Sequence, residues 1–238
     1  MDANRLAIAV IEQLQQLSTC VVASAVESFH VRLPNTGFAD SRIRSILGNL
    51  PPMVGYVATG RIRSAAPPME GDGYHYARTD WWDHILSIPA PRVIVLEDLD
   101  DPPGLGAFVG EVNANIFRAL GCVGVATNGA VRDVNEVRSI GFPLFAANIS
   151  VSHAYAHIAD FGGPVTLGGL ELHPGDLVQG DIHGVQKIPL EIADRIPAVA
   201  QQILRRRARV VSECRPSGLS VEGLRKTVED LEKNLPSF

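Results

Sequence analysis

Three residues with chemically useful side chains stand at the two ends of one segment of the chain: Glu111, and the adjacent pair Arg132 and Asp133. An arginine guanidinium binds a carboxylate through two parallel hydrogen bonds. An aspartate is a hard oxygen ligand of the kind that Mg²⁺ and Mn²⁺ take. Together they would hold a 2-oxo acid and stabilise the charge that develops when a C–C bond next to the carbonyl breaks. Glu111 is the candidate proton carrier, acting through water.

The same residues also have a purely structural explanation. Asp133 followed by Glu136 has the spacing of a capping box, in which Asp133 accepts hydrogen bonds from first-turn amides and Glu136 reaches back. Arg132 would then be a surface residue, and Glu111 an acid favoured by the dipole of the helix that it begins. Local sequence leaves both explanations open.

The elements that must position these residues alternate between strand and helix. We predict strands at 91–98, 122–127 and 144–150 and helices at 111–120 and 133–140, with Gly121 and Gly141 ending the helices. This order indicates a parallel α/β core, in which ligands collect outside the carboxyl ends of the strands. Two such ends lead into GLGAFVG (104–110) and GAVRD (129–133). Glycines 104, 106 and 110 allow close approach of a ligand, and the amides of Gly110-Glu111 are a natural anion site.

The rest of the chain reads as flanking structure. We predict an amphipathic N-terminal helix at 4–17 and a second segment from Ser18-Thr19. A strand at 53–63 and an exposed connection at 64–80 follow loop-like residues 34–51. The predicted domain plan is an α/β core over about 18–161, a β-rich part over about 162–191 with a hairpin at Gly168-Gly169, and C-terminal helices over about 192–236 broken at 216–218.

Composition narrows the class of protein. The 238 residues are 46% hydrophobic and 20% charged, as in ordinary globular proteins, and the net charge of −5 gives no electrostatic footprint for nucleic acid. The basic run Arg205-Arg206-Arg207 with Arg209 is explained by a solvated helix face. Three widely spaced cysteines, no apolar run of membrane-spanning length and no signal-peptide pattern make a soluble cytoplasmic protein the expectation.

At this point the motifs resemble a known family. The segments GLGAFVGEV, GCVGVATNGAVRDVNEVRSIGFPLFA and LHPGDLVQGDIHGVQKIP are similar to the RraA-like family over about residues 18–215. That family includes 4-hydroxy-4-methyl-2-oxoglutarate aldolases, which also decarboxylate oxaloacetate, and RraA-type inhibitors of ribonuclease E. The strongest mark is the triplet Gly110-Glu111-Val112 followed by Arg132-Asp133.

The resemblance implies a fold and a set of roles. The fold is a layered β/β/α, swivelling-type domain that assembles as a trimer or a pair of trimers with the site between subunits. The backbone of Gly110 to Asn113 and the side chain of Arg132 would bind the pyruvyl unit. Asp133 would hold Mg²⁺, with Mn²⁺ as the alternative, and Glu111 would position the water that protonates the enolate.

Three positions depart from the aldolase pattern. The triplet usually ends in Leu where this chain has Val112, and Asn128 stands where Asp is common. The aldolases also take a Glu from a neighbour's C-terminal helix into the metal shell. Here the corresponding stretch is 205–209, Arg-Arg-Arg-Ala-Arg, so Glu213 is the nearest acidic candidate.

Other constellations carry weaker signals. His153 and His157 are four residues apart, which on a helix would chelate zinc, but we prefer to interpret them as structural or substrate-contacting histidines, because no catalytic Glu follows in the right place and no Cys lies nearby. Asp181 and His183, between glycines at a strand end, favour a turn, with His183 as an acid or base the alternative. The glycines of 104–110 have the spacing GxGxxxG with no acid after the next strand, which argues against a dinucleotide site.

The sequence therefore predicts a divalent-metal-dependent lyase that cleaves a 2-oxo acid through a pyruvate enolate, by retro-aldol cleavage or decarboxylation. The intact set of Glu111, Arg132 and Asp133 favours this function. The competing hypothesis is a ring-shaped protein without catalysis that regulates a partner through protein–protein contacts. The acid-poor stretch at 205–209 favours that alternative.

Overall fold

The computed structural model describes residues 6–48, 50–69, 79–214 and 220–233. The strands are β1 Arg44–Ser45, β2 Met53–Arg63, β3 Arg92–Asp98, β4 Ala107–Val109, β5 Cys122–Val131, β6 Leu144–Ile149, β7 His157–Phe161, β8 Val165–Leu167, β9 Leu170–Leu172, β10 Leu177–Asp181 and β11 Gly184–Ile188. The helices are α1 Ile8–Gln15, α2 Thr19–Ser28, α3 Asp80–Ser87, α4 Glu111–Ala119, α5 Val134–Ser139, α6 Ile196–Glu213 and α7 Val221–Lys233, with a 3₁₀ turn at Leu190–Ile192.

A mixed nine-stranded sheet forms the centre of the fold. Its main path runs in the order β1, β6, β5, β3, β2, β10, β11, and the four strands β6, β5, β3 and β2 are mutually parallel. Strands β1, β10 and β11 join antiparallel, and β7 pairs antiparallel with the second half of β2. The parallel α/β core predicted from strand and helix alternation is thus present, with antiparallel strands added at both sides.

Two apolar layers cover the sheet, one on each face. The β8–β9 hairpin closes one face, where the packed side chains are Val57, Val93, Val95, Phe145, Val178, Val165, Leu167, Leu170 and Leu172. The helices cover the other face, with Tyr56, Ile94, Leu96, Val125 and Leu144 of the sheet against Leu14, Val22, Trp81, Phe117, Ile196 and Val199. The mixed α/β fold with a β/β/α layer order agrees with the prediction.

Local signals explain most element boundaries. The hydroxyl of Ser18 accepts a hydrogen bond from the Val21 amide and caps α2. Gly121 and Gly141, with φ of 77° and 65°, end α4 and α5 in the left-handed conformation that glycine adopts freely. Burial raises the pKa of the Cys122 thiol to about 12, as expected for a small buried hydrophobe in a strand.

Several boundaries differ from the prediction. α1 begins at Ile8 rather than residue 4, although residues 1–5 lie outside the described residues. β5 continues to Val131, four residues past its predicted end, because the pairing shifts register between Thr127 and Ala130 and then resumes with β6. The helix α3 and the short strand β4 were not predicted.

The connection predicted at 64–80 and the break at 216–218 fall partly or wholly outside the described residues. Of the described part, Ser64 is fully buried and 65–67 are exposed. None of the described helices combines the length and the apolar character that crossing a membrane requires.

Candidate active site

The unpredicted strand β4 brings the two halves of the candidate site together. Ala107 and Val109 of β4 pair in parallel with Ala130 and Val131 of β5. The amide of Arg132 donates to the carbonyl of Val109 at 2.9 Å. Both strands end at this edge, so the start of α4 and the Arg132-Asp133 pair are adjacent in space.

Asp133 caps a helix, but not its own. Its φ of 51° is left-handed, and its side chain makes no cap hydrogen bond within α5. Instead Oδ2 accepts a hydrogen bond from the amide of Glu111, the first residue of α4, at 3.1 Å, and Oδ1 accepts one from Arg132 Nε at 3.0 Å. The predicted capping box of Asp133 and Glu136 is therefore wrong, because the left-handed turn directs the carboxylate to a helix 22 residues earlier in the chain.

Gly110 makes this approach possible. A Cβ at this position would collide with Asp133 Oδ2 and would lie 2.9 Å from Cγ of Arg132. Its φ of −138° is ordinary extended backbone, so the requirement is for space rather than for a left-handed conformation. Gly110 was predicted to allow the close approach of a ligand, and in the structure the Asp133 carboxylate occupies this space.

The electrostatics of the site favour an ionised carboxylate. Burial raises the pKa of Asp133, but hydrogen bonds from the Glu111 amide and from Arg132, with the attraction of Arg132 and His153, outweigh it and hold the pKa below its ordinary value. The side chains of Asp133 and Arg132 each remain 30% exposed. A charged carboxylate that solvent reaches is a suitable ligand for a hard cation.

Arg132 keeps donors for a further partner. Of its five N–H groups, Nε is the one that bonds to a side chain in the described part of the chain. The terminal Nη1 and Nη2 form the fork that matches a carboxylate, and nothing in the described residues accepts from them. The guanidinium thus bonds to Asp133 through Nε, and its Nη1 and Nη2 groups are placed to bind a ligand.

The first turn of α4 carries the remaining predicted residues. The side chains of Glu111 and Val112 are exposed, and the amides of Val112 and Asn113 belong to the first turn, which helix geometry leaves without intrahelical acceptors. Asn113 is buried, and its Nδ2 donates to the Phe108 carbonyl at 2.6 Å, which ties α4 to β4. The Asn113 side chain therefore stabilises the fold. The role predicted for Asn113 was that of its backbone, in binding the pyruvyl unit.

A pair of hydrogen bonds between Asn128 and Asp98, near the site, was not predicted. The Asn128 amide accepts from the Asp98 backbone N–H at 2.6 Å and donates to the Asp98 carbonyl at 3.1 Å, so it joins β5 to the end of β3. The Asp98 carboxylate in turn accepts from the Gly104 amide at 2.8 Å, and burial raises the pKa of Asp98. The signal in the sequence was Asn128 itself, because an Asp at this position has no N–H to donate.

The structure gives different outcomes for the pair His153 and His157 and for the pair Asp181 and His183. His153 lies in a turn and His157 begins β7, so the helical zinc site is wrong, and the described residues contain no trio of His, Cys, Asp or Glu side chains that would hold a metal. His153 nevertheless adjoins the site, with Nδ1 2.7 Å from the carbonyl oxygen of Ala107. Asp181 and His183 form the predicted turn, in which Asp181 binds Thr19 at the start of α2.

The C-terminal candidates lie on α6. Arg205, Arg207 and Arg209 are exposed, in agreement with a solvated helix face, and Arg207 donates to the Ser24 hydroxyl at 2.9 Å. Glu213 is the last residue of α6 and is exposed.

Comparisons with known proteins agree with this architecture. Residues 17–186 match the family model for RraA-like proteins, described as Aldolase/RraA, so α6 and α7 lie beyond the matched region. Two solved structures resemble the fold at 20% sequence identity. One is an uncharacterised protein of Pseudomonas syringae pv. tomato, with a TM-score of 0.72 over 95% of this chain and 97% of that chain. The other is Streptomyces coelicolor RraAS2, called an unusual member of the RNase ES inhibitor RraA family, with a TM-score of 0.66 over 89% and 100%.

Two sequence relatives cover shorter regions. A Halalkalibacterium halodurans protein, provisionally named a 4-hydroxy-4-methyl-2-oxoglutarate aldolase, is 31% identical over 84 residues, which are 35% of this chain and 40% of the relative. An uncharacterised Methanocaldococcus jannaschii protein is 30% identical over 127 residues, 52% of this chain and 61% of the relative. The matches thus span less than two thirds of either relative. On the strength of the matched region and its fold, the chain belongs to the RraA-like family.

Proposed function

We propose that this protein is a divalent-metal-dependent lyase that cleaves a C–C bond of a 2-oxo acid through a pyruvate enolate. The observation that carries the proposal is the position of the Asp133 carboxylate, which lies between the Arg132 guanidinium and the first amide of α4. A negative group, a cationic fork and a helix N-terminus meet there at the carboxyl ends of β4 and β5. The provisional aldolase name of the Halalkalibacterium halodurans relative points to the same chemistry.

The donor set fits Mg²⁺ better than zinc. Asp133 and the exposed Glu111 are the carboxylates of the site, and the described residues contain no group of three His, Cys, Asp or Glu side chains that would form a closed protein cage. Mg²⁺ is commonly bound by one or two carboxylates, with water and substrate oxygens completing its shell, whereas zinc takes three or four protein ligands, most of them His or Cys. Asp133 would hold Mg²⁺ or Mn²⁺, which when bound withdraws electron density from the 2-oxo group.

The residues of this chain bind and orient the substrate. The Arg132 fork and the amides of Val112 and Asn113 would receive the carboxylate next to the 2-oxo group. Cleavage of the bond between C3 and C4 sends its electron pair into the 2-oxo group and gives the pyruvate enolate. In decarboxylation the fragment that leaves is CO₂. In retro-aldol cleavage it is a carbonyl compound, formed as the C4 hydroxyl gives its proton to solvent water.

Glu111 would complete the reaction. Glu111 begins α4, its amide donates to the Asp133 carboxylate, and its side chain is exposed, so it would hold a water molecule at the mouth of the site. Transfer of a proton to C3 of the enolate releases pyruvate. We further propose a homo-oligomer, a trimer or hexamer, in which Glu213 of a neighbouring copy adds an acid to the site.

A regulatory protein without catalysis is the second candidate. The stretch 205–209 contains no acid, and its exposed arginines 205, 207 and 209 would offer positive charge to a partner. The Streptomyces coelicolor structure, which resembles this fold over its whole length, belongs to a family of ribonuclease inhibitors.

Pyruvate release from oxaloacetate separates the two candidates. The chain is incubated with oxaloacetate and Mg²⁺, with EDTA, and with EDTA followed by excess Mg²⁺, and a no-protein reaction measures spontaneous decarboxylation. The lyase function predicts turnover with Mg²⁺, its loss with EDTA and its return with added Mg²⁺. Turnover that survives chelation contradicts the metal role, and the absence of turnover with both oxaloacetate and 4-hydroxy-4-methyl-2-oxoglutarate leaves the regulatory function as the better account.

A further inference from the structure

A cavity lies at the end of the sheet opposite to the candidate active site. It is bordered by β11, the β8–β9 hairpin, residues 32–37 and the 3₁₀ turn, and its volume is about 560 Å³. Strand pairing places Ile188 of β11 level with Leu177, Leu177 level with Tyr56, and Tyr56 level with the first residue of β3. The active-site residues instead follow the last residues of β4 and β5. The volume is within the range of small-ligand sites, roughly 300 to 1,000 Å³.

Arg32 is a cation of this cavity without an ion-pair partner. Its Nη1 donates to the Lys187 carbonyl at 2.7 Å, and no carboxylate of the described residues forms an ion pair with it. A Cβ at Gly37, whose φ is 85°, would collide with the guanidinium, so this group lies directly against the backbone there. Burial lowers the pKa of Arg32, and the attraction of Glu27 offsets only part of this effect. The guanidinium therefore has donors and charge available for an anion.

The other charged side chains of the cavity leave a surplus of negative charge. Lys187 and Asp176 form an ion pair at 2.7 Å and neutralise each other. Glu171 is 71% exposed, with its Oε1 3.6 Å from His173 Nε2, and Glu191 has no ion-pair partner among the described residues. One guanidinium and two carboxylates thus remain, so an occupant of complementary charge carries one carboxylate and two cationic groups.

The cavity also has an apolar wall. Its members are Leu170, Ile188, Pro189 and Leu190, of which the first two are buried. Methylene groups that pack against such a wall leave water, while the charged ends of the same molecule keep their polar contacts. A short aliphatic chain with charged groups at both ends therefore fits the cavity better than a compact anion such as phosphate.

We propose that this cavity binds a basic α-amino acid with an aliphatic side chain, of the lysine type. Its carboxylate bonds to Arg32, its methylene groups pack on the apolar wall, and its two ammonium groups face Glu171 and Glu191. The cavity is separate from the proposed lyase site, so the proposal does not depend on the lyase function. The alternative is a purely structural role, in which Arg32 only ties residues 32–37 to β11.

Calorimetric titration of the full chain with L-lysine tests the proposal, together with three probes that each change one feature. L-norleucine lacks the side-chain ammonium, cadaverine lacks the carboxylate, and L-glutamate has the opposite side-chain charge. Arg32→Gln keeps an N–H for the Lys187 carbonyl but removes the positive charge, and Glu191→Gln removes one carboxylate. Arg44→Gln is the matched control, because Arg44 also donates to a backbone carbonyl, that of Ser41 at 3.0 Å, but lies outside the cavity.

We expect L-lysine to bind the wild type at one site per chain. Loss of the contact with Arg32, in Arg32→Gln or with cadaverine, should weaken binding by about 10- to 100-fold. Loss of a contact with an exposed carboxylate, in Glu191→Gln or with L-norleucine, should weaken binding by about threefold. L-glutamate should bind more weakly than L-norleucine, because two carboxylates repel its side chain. Arg44→Gln should bind L-lysine as the wild type does.

The contrary outcomes are distinct. If the wild type does not bind L-lysine, the proposal is overturned, and a loss of stability of Arg32→Gln in urea then assigns Arg32 the structural role. Equal binding of L-lysine by Arg32→Gln and the wild type also overturns it, because the ligand then binds elsewhere. If circular dichroism shows that Arg32→Gln does not fold, the probes on the wild type decide, and equal affinity for L-lysine and cadaverine contradicts the contact with Arg32.

Discussion

Asp133 and Asp181 place a carboxylate against the first amide of a helix from another part of the chain. Asp133 accepts from Glu111 at the start of α4, and Asp181 accepts from Thr19 at the start of α2, 162 residues away. The pKa of Asp133 is held below its ordinary value. That of Asp181 is also lowered, because bonds from Thr19 and His183 outweigh the opposing effect of burial. Both satisfy an orphan helix donor with an anion that the helix dipole favours.

The two carboxylates differ in what remains available. Asp181 is 8% exposed, and its oxygens receive the Thr19 amide and hydroxyl and the His183 amide, with His183 Nδ1 at 3.0 Å. Asp133 is 30% exposed and receives two donors, one of them from an arginine whose fork continues outward. A carboxylate bonded to the first amide of a helix therefore stabilises the fold at Asp181, where protein donors surround it. At Asp133, where solvent reaches the carboxylate, the same interaction forms a candidate site.

The largest effect should come from Asp133→Asn. The amide is nearly isosteric but loses the charge that would hold the cation, so we expect oxaloacetate decarboxylation to fall on the order of 100- to 1,000-fold. Pyruvate release at saturating Mg²⁺ measures this, with circular dichroism as the check on folding. Activity within a few-fold of the wild type would exclude Asp133 from the reaction.

Gly110→Ala should give the next largest effect. The added Cβ collides with Asp133 Oδ2, and a carboxylate displaced by about 1 Å costs on the order of 100-fold in activity. The matched control is Gly223→Ala in α7, where a Cβ would meet nothing closer than 3.5 Å. Normal turnover of Gly110→Ala would mean that the carboxylate need not occupy its present position.

Asp181→Ala should change stability rather than chemistry. It removes the acceptor of the first α2 amide and leaves the buried Thr19 hydroxyl without its partner, at a cost of about 2 kcal/mol. Urea denaturation measures the free energy of unfolding, and turnover per folded molecule should be unchanged. A variant as stable as the wild type would show that the network does not hold α2.

The smallest effect should be on the pH dependence of the free energy of unfolding, compared between the wild type and Asp181→Asn. Because the pKa of Asp181 is lower in the folded chain than in the unfolded one, its contribution is present above the unfolded value of about 3.9 and is lost as the pH falls through the folded value. Urea unfolding of wild type and Asp181→Asn should therefore differ most above about pH 4 and converge below it. A gap that stays constant from pH 6 to pH 3 would contradict the assignment.

Signals within short segments predicted most of the fold but not the geometry of the site. The apolar strands and the glycines that end α4 and α5 are local features, and they were identified correctly. The strand β4 has three residues and pairs with the end of β5, a contact that no window around Ala107–Val109 contains. The partner of Asp133 likewise depends on this pairing, so the local capping-box pattern pointed to the wrong helix.

The residues of the candidate site could nevertheless be named from the sequence. Glu111, Arg132 and Asp133 were chosen because their chemistry fits a carboxylate and a cation at strand ends, and the structure brings them together. Their roles stay predictions. His153 lies against β4 because of a turn whose course follows from tertiary packing at Gly106 and Ala107, which the sequence does not express.

The contrast between the exposed Asp133 carboxylate and the buried Asp181 carboxylate is tested most directly by Mn²⁺ binding, which is followed by electron paramagnetic resonance with and without oxalate. The account predicts one Mn²⁺ per chain for the wild type and for Asp181→Asn, bound more tightly when oxalate is present, and loss of that site in Asp133→Asn. Equal Mn²⁺ binding by Asp133→Asn and the wild type would contradict the account.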